Sequence, residues 1–581
     1  MPAAWVRNTL VKTMATNLKP VDVVVVGLGA AAGVAVLPLT RAGIKVTALE
    51  AGSWMQPGDF KADEIHNNVR RRVTTGTKVW DEIPTFRTGP DQRARQGAAP
   101  TMMNAVGGTS IHYYANSWRF HPWDFKVRSE TVLRYGASAI PKGSTVEDWP
   151  LTYDDLEPFY DTIEYEIGVS GKAGNLQGKI DHKGNVFEGA RRREYPMPPL
   201  RDTDFTEMMQ VAARKTGFNP HRSPAAINSQ PRNGRSACAY HGYCDTGGCH
   251  IKAKNSTAVT TIPAAQKTGN LTIVERAHVT RILTDDNGKA TGALYVRDGR
   301  EYFQPAKVVL LASYTYENVR MMLLSKSKAF PNGLANNHGQ VGKHYIGHWA
   351  NREVTGLFPV DLNIWYGANA QGVVVNNWAE DNFDHNGLGF IGGASLTVNH
   401  EVHPIAASAM PTFGRAPQWG SKWKKFVSQN AGRWLGVYAQ CNSLPYENTW
   451  LDLDPEVKDK LGDPVCRITS GPKVNEPRAS AYAAKKAEEW FRAAGAIEVI
   501  TVPNTEGPNL STHATGGTRM GPKAESSVVD PYGFAHESPN LGILGGSTLV
   551  THGARNPTLT IQALSWRTAE HLVKNWKSIA A

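Results

Sequence analysis

Three cysteines within twelve residues form the densest reactive cluster of the chain. Cys238, Cys244 and Cys249 lie in ACAYHGYCDTGGCHIKAK, whereas Cys441 and Cys466 are isolated and read as buried thiols. Three thiolates in a glycine-containing loop suit more than one chemistry. His241 or His250 would complete a Cys3His zinc site. Three cysteines alone match the ligand set of a three-iron iron–sulfur centre. The third reading is a set of ordinary loop thiols, and the spacing is not that of a secreted disulfide framework. A second stretch, VDVVVVGLGAAAGVAVLPLTRAGIKVTALEAG (Val21–Gly52), offers phosphate chemistry. Gly27 permits a tight turn after four valines, and Gly29 lets a phosphate approach the backbone. The following helix would present free N–H groups and the positive end of its dipole to a pyrophosphate. Glu50 follows Gly29 by 21 residues, where a carboxylate accepts hydrogen bonds from a ribose. Ala32, with Gly33 next, stands where the third glycine of such motifs falls, a site that needs only close helix–strand packing.

These groups need a framework. Val21–Gly52 reads as strand, glycine turn, helix, strand: one βαβ unit of a dinucleotide-binding domain. The apolar run Val23–Leu39 is 17 residues, short of the ~20 that span a bilayer. It is read as this core, not as a signal peptide or spanning helix. NAVGGTSIHYYANSWRF (Asn104–Phe120) sets Gly107 and Gly108 beside Thr109, a second turn with backbone N–H groups and a hydroxyl for a phosphate or a flavin ring. Residues 148–168 read as an amphipathic helix. Asn270–Leu283, Thr291–Val296 and Lys307–Leu311 read as strands that rebuild the first sheet from a distant part of the chain. Residues 350–500 change character, with strand-like runs such as Leu388–Val398 and a helix over Glu476–Ala494. They are read as a second domain on a mostly antiparallel sheet that covers the cofactor. A strand at Leu541–Leu544 and a helix over Leu559–Trp576 close the chain.

The 581 residues are too many for one simple core. Their net charge of +11 comes from scattered Lys and Arg, which read as solvated surface and not as a nucleic-acid footprint. The division expected is an arm at 1–20, a cofactor domain at 21–349 containing the cysteine loop 236–252, a substrate domain at 350–500, and a return to the cofactor domain at 501–581.

In order and spacing the chain resembles the glucose–methanol–choline oxidoreductases, which bind FAD. The resemblance runs from GLGAAAG and Glu50 through VGGTS, LDLDPEVKDKLGDPVCR (Leu451–Arg467) and HATGGTRMG to the Asn556-Pro557 turn. It implies an α/β fold with a Rossmann-like FAD-binding domain and an α+β substrate domain. Within the family the chain is similar to the large flavoprotein subunit of bacterial gluconate, sorbitol and fructose dehydrogenases, on SIHYYANSWRF, YGASAIP, GVSGKAGNLQG, REYPMPPL and the cysteine cluster. Those enzymes oxidise sugar or polyol hydroxyls and pass electrons outward.

By that resemblance His513 is the catalytic base and Asn556 the partner that orients the hydroxyl. Gly27, Gly29, Ala31, Ala32, Glu50, Gly107, Gly108, Thr109, His112, Val279, Gly545, Gly546, Pro557 and Thr558 would contact FAD. Relatives carry CxxCxxCxxxxC at the cysteine loop. This chain has His241 at the second cysteine position, which leaves Cys238, Cys244 and Cys249 for a 3Fe-4S cluster. Tyr114 replaces a small polar residue in a loop expected to line the flavin. The implied partners are a small subunit and a cytochrome c-type subunit, and the implied location is the periplasmic side of the bacterial inner membrane through those partners; a cytoplasmic enzyme is the alternative. A glycoside 3-dehydrogenase, an oxygen-using oxidase of the same fold and a non-catalytic FAD-binding subunit are the rival functions.

Overall fold

The computed structural model describes residues 15–96, 102–244, 246–348, 350–398, 403–501 and 511–581, with backbone alone at 350–353. Val23, Val24 and Val25 have no exposed surface and Val26 is 3% exposed. A β-branched run buried on both faces is what a central parallel strand requires. Val21–Val26 is that strand, flanked in parallel by Val46–Leu49 and by the second half of Arg300–Leu311. Leu271–Val274 extends the sheet on one side, and Ser538–Ile543 joins Val309–Leu311 on the other.

Arg300–Leu311 has two roles. Its first half forms an antiparallel ladder with Ala290–Arg297, which pairs onward with His278–Thr284; from Ala306 it turns parallel, with Val308 opposite Val23. This is the expected return of the chain to the first sheet. The arm ends in Thr16–Asn17, which adds to the same strand at Tyr302 and Phe303. The helix Ala32–Arg41 packs against the closing helix Thr558–Lys574, which also meets Tyr153–Ile163.

The second sheet is antiparallel throughout, in the order Glu498–Thr501, Ala350–Leu357, Trp434–Cys441, Ala394–Val398, Val373–Val375, Pro220–Arg222. Its edge strand Pro220–Arg222 comes from outside residues 350–500. The helix Asn475–Ala493 covers this sheet through Ala479, Ala483, Ala487, Trp490 and Phe491, a helical-period stripe buried to the last residue. Thr449–Lys458 and Pro464–Ser470 leave it to form a separate sheet with Thr85–Arg87 and Arg95–Gln96. A separate two-residue ladder, Ile346–Gly347 against Ala514–Thr515, joins the approach to Ala350–Leu357 of the second sheet with the segment that carries His513. That ladder sets His348 and His513 side by side. Among the described residues no helix is long and apolar enough to cross a membrane.

Candidate active site

The glycine turns interlock. Gly107 N–H donates to the Leu28 carbonyl at 2.8 Å. Gly27 has φ +84°, and a Cβ there would lie 2.8 Å from the Ala312 oxygen. A Cβ on Gly108 would lie 2.8 Å from Gly29 Cα. Side chains are thus excluded where the two turns meet, and the helix Ala32–Arg41 starts with no side chain capping its N–H groups. Glu50, buried at the end of its strand, accepts from Leu28 N–H at 2.8 Å and Gly52 N–H at 2.9 Å. Burial pushes its carboxyl up, against the pull of those N–H groups.

These residues wall a cleft of about 1330 Å³, counting the space at its mouth. Gly27, Gly29, Ala31, Glu50, Gly108, Thr109, Val279, Gly545, Gly546, Pro557, Thr558 and His513 all line it. Ala32, Gly107 and His112 do not; Gly107 instead makes the turn, at φ +100°. A glycine-lined cleft over an uncapped helix start, with a buried carboxylate at the neighbouring strand end, fits a dinucleotide.

At the cleft wall the hydrogen bonds fix the tautomer of His513. His348 Nε2 lies 3.0 Å from the Cys441 carbonyl, which only accepts, so this nitrogen carries the proton. Burial first, then the neighbouring His552 and His513, hold the His348 pKa well below its ordinary value, so the ring is neutral and its Nδ1 is an acceptor. His513 Nδ1, 2.9 Å away, must therefore donate. That leaves the lone pair on His513 Nε2, and the Asn556 amide nitrogen donates to it at 3.0 Å. Burial pushes the His513 pKa down to about 4, so the acceptor form persists through neutral pH. His552 stacks on His348 with centroids 4.0 Å apart and is itself held down, to about 3, by burial. Asn556 Oδ1 is buried with no hydrogen-bond partner among the described residues, an acceptor left for a ligand.

Asn556 is placed by its neighbour. Arg555 is 1% exposed and binds both oxygens of Glu380 at 3.0 Å and Asp124 at 3.1 Å. Asn442, next to Cys441, donates to Asp124 at 3.1 Å. Burial would raise the Glu380 pKa, but Arg555 and His121 reverse this and hold it down, whereas burial and the charge of Glu380 push Asp124 up. Asp124 and Glu380 thus titrate as a pair beside one guanidinium, with Glu380 the more acidic of the two. The cluster ties the segment of Asn556 to the second sheet, and through Asn442 to the strand end whose carbonyl orients His348.

Models of the GMC oxidoreductase family match residues 142–350 and 445–565. The gluconate 2-dehydrogenase flavoprotein of Pantoea cypripedii is 31% identical over 96% of this chain and 94% of its own length. The chain belongs to the GMC oxidoreductase family. The 2-methyl-1,2-propanediol dehydrogenase of Mycolicibacterium austroafricanum is 30% identical over 97% of both chains, and the fructose dehydrogenase large subunit of Gluconobacter japonicus 28% over 97% of this chain and 100% of its own. Among solved structures, pyridoxine 4-oxidase superposes with a TM-score of 0.60 over 95% of this chain and 99% of that one, at 14% identity; that likeness is one of fold. This GMC oxidoreductase is a flavin-dependent enzyme acting on alcohol CH–OH groups, with FAD as cofactor.

The cysteine loop stands differently. Among the described residues, no three His, Cys, Asp or Glu side chains gather closely enough to hold a metal ion. Cys238, Cys244 and Cys249 are half-buried, and the His241 and His250 rings stack on each other at 4.9 Å. The three thiols are therefore not drawn together round one point in this structure. The loop is nonetheless tied to the cleft. Lys254, 3% exposed, donates from Nζ to the carbonyls of Cys244 and Tyr113 at 3.0 Å and of Gly247 at 2.9 Å. Tyr113 lines the FAD cleft, whereas Tyr114 is 38% exposed and stands outside it. The tyrosine at the cleft is thus the one before the departure noted in the sequence. His348, Glu380, Arg555 and Lys254 were missed by sequence reasoning. No local motif marks them, because each acts on a residue far along the chain.

Proposed function

We propose that this enzyme is an FAD-dependent dehydrogenase that oxidises a hydroxyl of a sugar, sugar acid, polyol or glycoside. The observation that carries the chemistry is the His513 tautomer, with an unprotonated Nε2 on the cleft wall beside Asn556. FAD, when bound, supplies the two-electron acceptor. The substrate hydroxyl replaces the Asn556 amide as donor to His513 Nε2, which takes the proton as the carbinol hydrogen leaves as hydride; the alcohol becomes a carbonyl. Asn556 Nδ2, freed from His513, donates to the oxygen and orients it. Support for the substrate class comes from the relatives named for gluconate, fructose and a 1,2-diol.

The route by which electrons leave is the second part of the proposal. Cysteine number and spacing support a 3Fe-4S relay at Cys238, Cys244 and Cys249 once the loop draws the three sulfurs together, and the name of one relative, a large subunit, supports a further subunit. That this is a small subunit with a cytochrome c-type partner on the periplasmic side of the inner membrane rests on the family resemblance alone. The test mixes the flavin-loaded protein anaerobically with D-gluconate, D-fructose, D-sorbitol, methyl glucoside and 1,2-propanediol and follows flavin bleaching. Bleaching by a sugar-type compound is expected; none by any of the five would refute the dehydrogenase reading. Low-temperature EPR with an iron count on the same sample tests the relay, which an iron-free, silent protein would remove. Peroxide formed at the rate of turnover in air would make the enzyme an oxidase.

A further inference from the structure

Ser511–Ala514 carries His513 to the cleft, yet only its last residue enters a strand. Its carbonyls are held instead by hydroxyls from three successive residues at the start of the helix Thr315–Leu324. Tyr314 Oη donates to the Thr512 carbonyl at 2.8 Å, and Thr315 Oγ1 to the Ala514 carbonyl at 2.6 Å. Tyr316 Oη lies 3.4 Å from the Ser511 carbonyl and 3.0 Å from Tyr345 Oη. The residues on both sides of His513 are thereby gripped from one element. Tyr314 also has φ +81° and ψ 158°, a backbone conformation that suits glycine and strains a tyrosine. Glycine there would relax the backbone and lose both the hydroxyl and the ring, which lines the same cleft as His513.

We propose that Tyr314, Thr315 and Tyr316 form a positioning clamp that sets His513 Nε2 against the substrate hydroxyl, and that Tyr314 keeps its strained backbone because its hydroxyl must reach the Thr512 carbonyl. None of the three takes a proton; they act through His513, and the inference rests on the catalytic reading of that residue. Catalysis by a positioned base is steep in distance, so a shift of about 1 Å costs on the order of 100-fold.

Tyr314→Phe keeps the ring and the strain and deletes only the donor; Thr315→Val does the same at the Ala514 carbonyl. In the FAD-loaded enzyme, with the compound of the panel above that bleaches flavin fastest, each is expected to lower the limiting rate of flavin reduction about tenfold while the substrate Kd stays within about twofold. The same Tyr314→Phe change placed on His513→Ala is expected to cost nothing more, because the clamp has nothing left to position. Hydrogen–deuterium exchange of peptides covering 511–516, read without substrate, is expected to speed up in Tyr314→Phe while the rest of the chain is unchanged. Unchanged exchange, or a Tyr314→Phe loss that persists in full on the His513→Ala background, overturns the clamp. Normal flavin reduction in His513→Ala would instead overturn the catalytic reading, with the exchange result still deciding whether the segment is held as described.

Discussion

Replacing His348 by leucine tests the tautomer argument at its origin. The leucine removes the only acceptor that reaches His513 Nδ1 among the described residues, and a buried N–H left without one costs about 1–3 kcal/mol. That cost falls on the tautomer whose Nε2 is free, and spares the one that carries its proton on Nε2. At about 1.4 kcal/mol per factor of ten, the limiting rate of flavin reduction should fall roughly 5- to 150-fold. Substrate Kd should change little, because His348 is 1% exposed and stands behind His513. His348→Gln is the control: its amide oxygen can accept from His513 Nδ1 and its NH2 can donate to the Cys441 carbonyl, so it should recover much of the loss. Stopped-flow reduction gives the rates, and 15N shifts of the imidazoles report directly which His513 nitrogen is protonated. A His348→Leu enzyme that reduces its flavin within twofold of the parent, or a parent His513 with its proton on Nε2, would refute the reasoning.

Four further outcomes are expected. Because burial lowers the His513 pKa to about 4, its base form is complete above that value and lost as pH falls through it. Flavin reduction should be flat across neutral pH and fall tenfold per unit below about 4, and a midpoint near 6.5 would show that the imidazole is not desolvated. Arg555→Met leaves Glu380 buried without its guanidinium and should cost about 3–5 kcal/mol in urea unfolding, together with flavin reduction; a loss below about 1 kcal/mol would mean the cluster is not closed to water. Gly27→Ala forces a Cβ to 2.8 Å from the Ala312 oxygen at a positive φ, so the purified protein should lack flavin absorbance, and normal FAD content would contradict the cleft assignment. Lys254→Met removes three charge-assisted hydrogen bonds of about 1.5–3 kcal/mol each, so exchange and alkylation at the cysteine loop should both quicken, whereas unchanged labelling of Cys244 would show that the loop is held by other contacts.

What the sequence disclosed follows from where each constraint is written. The valine run, the glycine turn and Glu50 lie in one βαβ unit, and every requirement on them is local: burial, a positive φ, a distance along one strand. They could be read without a fold. His513 could not, since nothing near it distinguishes one imidazole among 18; it emerged from the order of motifs along the whole chain. Its tautomer was out of reach for either kind of reading. That depends on His348, 165 residues away, being brought alongside by a two-residue ladder, and on the Cys441 carbonyl at the end of a strand in the other sheet. The same holds for Arg555 and Glu380, 175 residues apart. The cysteines mark the opposite limit. Their spacing states how many thiols are available but not where the sulfurs point, and turn conformations such as Tyr240 and Tyr243, both at positive φ, decide that. The glycine turn and Glu50, the part of the FAD cleft read first, are thus local, whereas the groups that give His513 its basic nitrogen come from two distant parts of the chain. The base is complete only when both have folded onto each other, so substitutions at that junction should impair flavin reduction before they impair flavin binding.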